Sequence, residues 1–203
     1  VAQGTGAAPP TVILGLGNLI QSDDGVGIHA VRLLENDERL GAGVAVIDGG
    51  TFGVQLAAYT AGAGHLIVLD SVDVGRDPGT LVRMEGSDLC GLPGGATAHG
   101  LGLADLLVAL GLMGSQPPEV VLLGVQPATT ALGTELSPAV RAALPALVEA
   151  ALAEARRAGS PVPVELPEGT VGPPARRHRL ARAIRRVERR GSFVSKRSRG
   201  NVS

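Results

Sequence analysis

Aromatic side chains are nearly missing from this chain: Phe52, Tyr59 and Phe193 are the whole complement, and there is no tryptophan. Base-stacking platforms for nucleic acid need such rings, so a nucleic-acid surface of that kind is excluded. Cysteine is almost as scarce. Cys90 stands alone, which rules out an intramolecular disulfide and a multi-cysteine zinc site. No apolar run approaches the roughly 18 residues of a membrane span. A basic-then-apolar leader is also missing, and the expectation is a cytoplasmic protein without a membrane partner. What the chain does have is aliphatic. Hydrophobic residues make up 44% of the 203, enough for a core built from Leu, Val, Ile and Ala.

The formal net charge of −1 hides an asymmetry. Of the 18 Lys and Arg residues, 11 lie between Arg176 and Arg199, where Glu188 is the only acid. Residues 1–174 carry 7 basic and 18 acidic residues, a formal charge of −11. An acidic body with a basic tail is a composition boundary. Four segments are predicted. Residues 1–10 form a flexible arm, and 11–159 form the folded domain. Residues 160–174, with five prolines, form a linker. Residues 175–203 form a basic tail, disordered or a lone helix.

The folded part is organised around Val12 to Leu34, VILGLGNLIQSDDGVGIHAVRLL. Val12-Ile13-Leu14 reads as a buried strand, Gly15-Leu16-Gly17-Asn18 as a tight turn. Ile28, Val31 and Leu34 recur at helical spacing after Gly25 and Gly27. A dinucleotide-binding turn would have the pattern G-x-G-x-x-G, but here the third glycine is replaced by Ile20. The loop also offers two carboxylates, Asp23 and Asp24, where a pyrophosphate would sit. Paired negative charge repels phosphate and suits a cation. Asp is also a good helix cap, but capping needs only one of the two.

Further along, Val44–Ile47, His65–Leu69, Leu81–Met84 and Val120–Val125 read as strands, the fourth segment's neighbour Leu81–Met84 as an edge, antiparallel strand. A helix is predicted over 52–60, capped by Thr51 and burying Leu56 and Tyr59. A second covers 101–112, with Leu103, Leu106, Leu107 and Leu110 on its apolar face. A third begins at Ser137-Pro138, cap then proline, and runs to Arg157, burying Val140, Leu144, Leu147, Val148 and Leu152. Gly86–Ala98, with four glycines and Pro93, reads as a mobile loop. The alternation predicts an α/β fold in three layers: a mostly parallel twisted sheet of about five strands with helices on both faces.

Three polar residues fall at strand ends or helix starts: Asp24, Asp70 and His99. In parallel sheets ligands sit beyond the carboxyl ends of the strands. Two carboxylates and an imidazole form an incomplete ligand set for a divalent transition metal, with coordination positions left open. The same residue types also serve as caps and turn residues. Cys90 sits in the glycine-rich loop without a local signature of a nucleophile. Asp48, before Gly49-Gly50, stands where a dinucleotide enzyme would bind ribose, and keeps a nucleotide-binding oxidoreductase as the alternative. A non-enzymatic assembly chaperone is a further alternative, one the basic tail would suit.

The segments GLGNLIQSDDGVG, DGGTFG, HLIVLDSV and AHGLGLADLL, in that order and spacing, resemble the nickel-iron hydrogenase maturation endopeptidases. The likeness covers about Val12 to Leu152. It implies a helix-flanked twisted sheet and one activity, removal of a C-terminal extension from the hydrogenase large-subunit precursor after nickel loading. By position it implies that Asp24, Asp70 and His99 contact nickel and form the catalytic site of an aspartic-type endopeptidase. Asp23 matches a neighbouring acid that is not usually a ligand, and Asp48 a motif that shapes the cleft. The implied cofactor is nickel supplied by the substrate, not held by the isolated enzyme. The implied partner is the large-subunit precursor, met by a monomer. The linker and tail have no counterpart in the family core.

Overall fold

The computed structural model describes residues 11–86, 89 and 100–158. The N-terminal arm, Cys90, His99, the linker and the basic tail lie outside the described residues. β1 (Thr11–Leu16) is followed by a 3-10 turn, Ser22–Gly25, and by α1 (Val26–Leu34). Then come β2 (Val44–Gly50), a 3-10 turn at Val54–Leu56, α2 (Ala57–Thr60) and β3 (His65–Ser71). β4 (Leu81–Glu85), α3 (Gly100–Leu112), β5 (Glu119–Val125) and α4 (Pro138–Ala158) complete the order.

The strands form one sheet in the order β2-β1-β3-β5-β4. β1, β2, β3 and β5 run parallel, and β4 pairs antiparallel with β5 at the edge, as expected. The central strands are apolar almost throughout because both sheet faces are covered. Successive side chains alternate between those faces. Ile13, Ile67, Leu69, Val121 and Leu123 pack with Val31 and Leu34 of α1 and Leu147 and Leu152 of α4. Val12, Leu14, Leu66, Val68 and Leu122 pack with Leu56 and with Leu103, Leu106 and Leu110 of α3. The three-layer α/β expectation therefore holds. At the start of α4, Ser137 Oγ accepts from Val140 N at 3.4 Å and Pro138 is the first helical residue, the predicted cap-then-proline order.

Several local expectations are corrected. β2 continues through Asp48, Gly49 and Gly50, because β1 offers Gly15 and Leu16 as further pairing partners. The helix expected over 52–60 is a 3-10 turn plus one α-turn. Its change of pitch turns the buried face onto Leu56, Ala57 and Thr60. Tyr59 consequently faces solvent, and Thr60 Oγ1 donates to the Leu56 carbonyl at 3.0 Å in the interior. Thr51 does not cap this segment; Gly53 precedes it, with no side-chain cap bond. Leu107 and Leu144 are only partly buried.

At the amino end of the parallel strands, buried Glu154 of α4 accepts from Arg83 Nε at 3.2 Å and from Arg157. His65 Nδ1 stands 2.7 Å from Glu119 there. Burial pushes the Glu154 carboxyl up, but the bonds from Arg83 and Arg157 outweigh it and hold it below the ordinary 4.5. Glu154→Gln should destabilise the domain by about 1–2 kcal/mol near neutrality. A group held low contributes stability above its ordinary value and loses it as pH falls through the folded one. The difference in urea midpoint between the variant and wild type should therefore shrink in acid.

Candidate functional site

The chain leaves β1 toward β2 on one side and reaches β3 on the other, so strand order reverses between β1 and β3. Such a reversal opens a crevice at the carboxyl ends of the two strands. Asp24 and Asp70 are both delivered to it. Asp24 lies in the turn between β1 and α1, and Asp70 is the penultimate residue of β3. Both are fully buried, at 0% exposure.

Glycines bring these elements together. Gly17 has φ +144, a conformation that L side chains rarely adopt, and a Cβ there would meet the Asp24 carbonyl at 2.2 Å. Gly27, in the first turn of α1, lies against the Leu69 and Leu16 carbonyls, which a Cβ would approach to 2.2 and 2.3 Å. The start of α1 is thereby seated across the ends of β1 and β3.

Asp24 Oδ2 accepts from Asn18 N at 2.8 Å, and Asp24 N donates to the Gln21 carbonyl at 3.1 Å. It caps neither the 3-10 turn nor α1, whose cap positions are Gln21 and Gly25 without side-chain bonds. Asp70 Oδ1 accepts from Ser71 N at 2.7 Å. Burial pushes Asp70 well above the ordinary 3.8; the Ser71 bond opposes this, and the charge of Asp24 adds to it. A like charge nearby disfavours the ionised form. Two buried acids at one strand-end crevice suit a divalent cation, which offsets the cost of burying their charge. Asp24 and Asp70 supply two hard oxygen donors; among the described residues no group of three or more His, Cys, Asp or Glu side chains that could hold a metal ion is assembled.

Asp48 does not join this pair. Its side chain is partly exposed, accepts from Gly50 N at 3.2 Å and stands 3.7 Å from Arg32. His99 lies outside the described residues. Two buried polar residues take structural roles that the sequence did not assign them: Gln126 was not singled out, and Asp23 was read with Asp24 as half of a cation-attracting pair. Gln126 Oε1 accepts from Val74 N (2.9 Å) and Arg76 N (3.1 Å), while its Nε2 donates to Asp73 at 2.9 Å. It ties the loop after β3 to the end of β5. Asp23 likewise takes backbone N–H groups from the loop after β5. Only the doubling of acids at 23–24 hinted at a second role.

The family model described as HycI, hydrogenase maturation protease, matches residues 28–154. The chain belongs to the hydrogenase maturation protease family. The hydrogenase expression/formation protein HoxM of Azotobacter vinelandii is 35% identical over 184 residues, 83% of this chain and 89% of the relative. The hydrogenase 2 maturation protease of Escherichia coli is 33% identical over 150 residues, covering 73% and 92%. Among solved structures, the hydrogenase maturating endopeptidase HybD of E. coli superposes with a TM-score of 0.69 at 33% identity, covering 74% of this chain and 94% of that one. The maturation protease is thus an enzyme whose family and fold agree with the sequence resemblance. Among the described residues no helix is long and apolar enough to cross a membrane.

Proposed function

We propose that this maturation protease removes the C-terminal extension of a nickel-iron hydrogenase large-subunit precursor after nickel insertion, and that it recognises the nickel carried by that substrate. The observation that carries this reading is the pair of fully buried carboxyls, Asp24 and Asp70, at the strand-order reversal. His99, which opens the segment before α3 in sequence, is the third member of the proposed site. Asp24, Asp70 and His99 would hold a divalent cation there, whose positive charge would favour the ionised carboxyls and polarise a neighbouring oxygen.

The chain's own residues set the proton inventory. Ser71 N donates to Asp70 Oδ1, and burial favours the protonated form of this carboxyl. Asp70 must release that proton to serve as a ligand, so recognition should strengthen with rising pH. Hydrolysis then adds water across one peptide C–N bond, giving a new carboxylate on the large subunit and an amine on the released peptide. With Asp70 ionised, Asp24 can accept a proton from the attacking water and pass that same proton to the leaving amine. The same buried carboxyls oppose a dinucleotide pyrophosphate. The proposal includes a monomer acting in the cytoplasm on this protein partner, with no membrane or nucleic acid involved.

The test mixes purified protein with nickel-loaded precursor and reads the mass loss. Asp24→Ala, Asp70→Ala and His99→Ala should each slow processing about 100-fold or more, with circular dichroism unchanged. Wild-type rates in any one of them would remove that residue from the site. Failure of the unaltered protein to shorten the loaded precursor would overturn the reading.

A further inference from the structure

We propose that Asp23 is a positioning residue of this protease: it latches the 126–137 loop to the turn carrying Asp24 and so fixes that carboxylate at the site. The proposal rests on the reading of Asp24 given above. Asp23 is fully buried and accepts three backbone N–H bonds, all from distant chain. Oδ1 takes Ser137 N at 2.6 Å, and Oδ2 takes Ala128 N at 2.9 Å and Thr129 N at 3.1 Å. Bonds to an ionised acceptor are roughly twice as strong as neutral ones.

A short ladder surrounds this carboxylate. Ser22 N donates to the Gly133 carbonyl at 2.8 Å, Gly133 N to the Ile20 carbonyl at 3.1 Å, and Asp23 N to the Thr129 carbonyl at 3.2 Å. Ser22 Oγ donates to the Ala131 carbonyl at 2.9 Å. Ser22 itself is held at φ 51, the one non-glycine residue with positive φ among the described residues. Strained backbone of this kind persists only where surrounding bonds over-determine it. The turn that places Asp24 is therefore not self-supporting. Its shape is imposed through Asp23 by the loop after β5, at the same carboxyl end of the parallel strands.

Asparagine has nearly the shape of aspartate but only one acceptor oxygen. In Asp23→Asn the amide NH2 must face at least one of the three backbone donors. The loop should detach while the core strands stay closed. Loss of position rather than of a reacting group should lower kcat more than it changes KM. Small misplacements of a catalytic group are enough for about a tenfold effect.

A rescue separates this role from a direct chemical one. A Cβ built on Gly133 lies 3.9 Å from Ser22 Cβ, within the range of roughly 3.5–4.5 Å for a disulfide. In a Cys90→Ser background, Asp23→Asn should lower kcat for nickel-loaded precursor about tenfold, with KM little changed. Amide exchange at Ala128, Thr129 and Ser137 should accelerate, while β1 and β3 stay protected. Adding Ser22→Cys and Gly133→Cys and oxidising should restore kcat to near that of the same crosslinked protein with Asp23 intact. Reducing the crosslink before assay should abolish the rescue. If Asp23→Asn alone does not fold, the oxidised and reduced crosslinked forms carry the comparison. Wild-type kcat in Asp23→Asn, or a loss that the crosslink does not repair, overturns the proposal. Normal processing by Asp24→Ala would instead overturn the underlying site and leave the exchange result standing.

Discussion

Asp70→Asn should yield a maturation protease that melts at a higher temperature than wild type at neutral pH and no longer cuts its precursor. Folded Asp70 titrates well above the unfolded value near 3.8, chiefly through burial and secondarily through the charge of Asp24. Between those two values the folded state holds a proton that the unfolded state has lost. Stability therefore falls as pH rises through that window, and the full penalty applies above it. Each unit of upward shift corresponds to about 1.4 kcal/mol. For a domain of this size, 1 kcal/mol moves the melting temperature by about 2–4 °C. An amide removes the ionisation while its oxygen can still accept from Ser71 N. The gain should be largest at neutral and higher pH. It should vanish in acid, where wild type carries the proton in both states. The measurement is melting temperature against pH in chelator-treated protein, beside a processing assay. A variant that melts at or below the wild-type temperature at every pH would show that Asp70 is not strained by its position.

This opposition between stability and function explains which parts of the site were legible in sequence. The strands were legible because burial on both faces demands unbroken aliphatic runs, and His65–Leu69 has one. The placement of Asp24 and Asp70 at the carboxyl ends of β1 and β3 was legible because they follow or end such runs where parallel topology gathers strand ends; their role is part of the proposed function. Asp23 was not legible. Its partners Ala128, Thr129 and Ser137 lie more than a hundred residues away and offer only backbone N–H groups. Backbone donors leave no residue-type signature, so a second aspartate beside the first was the only trace. Gln126 escaped for the same reason, since two of its bonds also go to backbone N–H groups. Tyr59 was misplaced because periodicity assumes one pitch, while the segment changes from 3-10 to α at Leu56.

Gly27→Ala should be strongly destabilising, although helix propensity alone predicts the reverse. Replacing glycine by alanine inside a helix is ordinarily favourable by about 1 kcal/mol. Here the added methyl would stand 2.2 Å from the Leu69 carbonyl oxygen and 2.3 Å from that of Leu16. Both obstacles are backbone of central strands, so neither can rotate aside; α1 itself must retreat. Overpacking of this kind costs about 3 kcal/mol at the upper end of its usual range. Packing should win by about 2 kcal/mol, a fall of roughly 4–8 °C in melting temperature. Gly41→Ala is the control: a Cβ there meets nothing within 4 Å, and the variant should match wild type or slightly exceed it. Processing by Gly27→Ala should drop as well, because α1 carries the turn with Asp24 as it moves. Equal melting of Gly27→Ala and Gly41→Ala would mean that α1 is free to shift on the sheet. The position matters for how the opening motif is read. In a dinucleotide fold the third glycine of G-x-G-x-x-G permits close packing of helix on strand. Ile20 occupies that place in this chain, and close packing is instead secured seven residues later. The intervening residues form the turn that buries Asp23 and Asp24 where a pyrophosphate would otherwise lie.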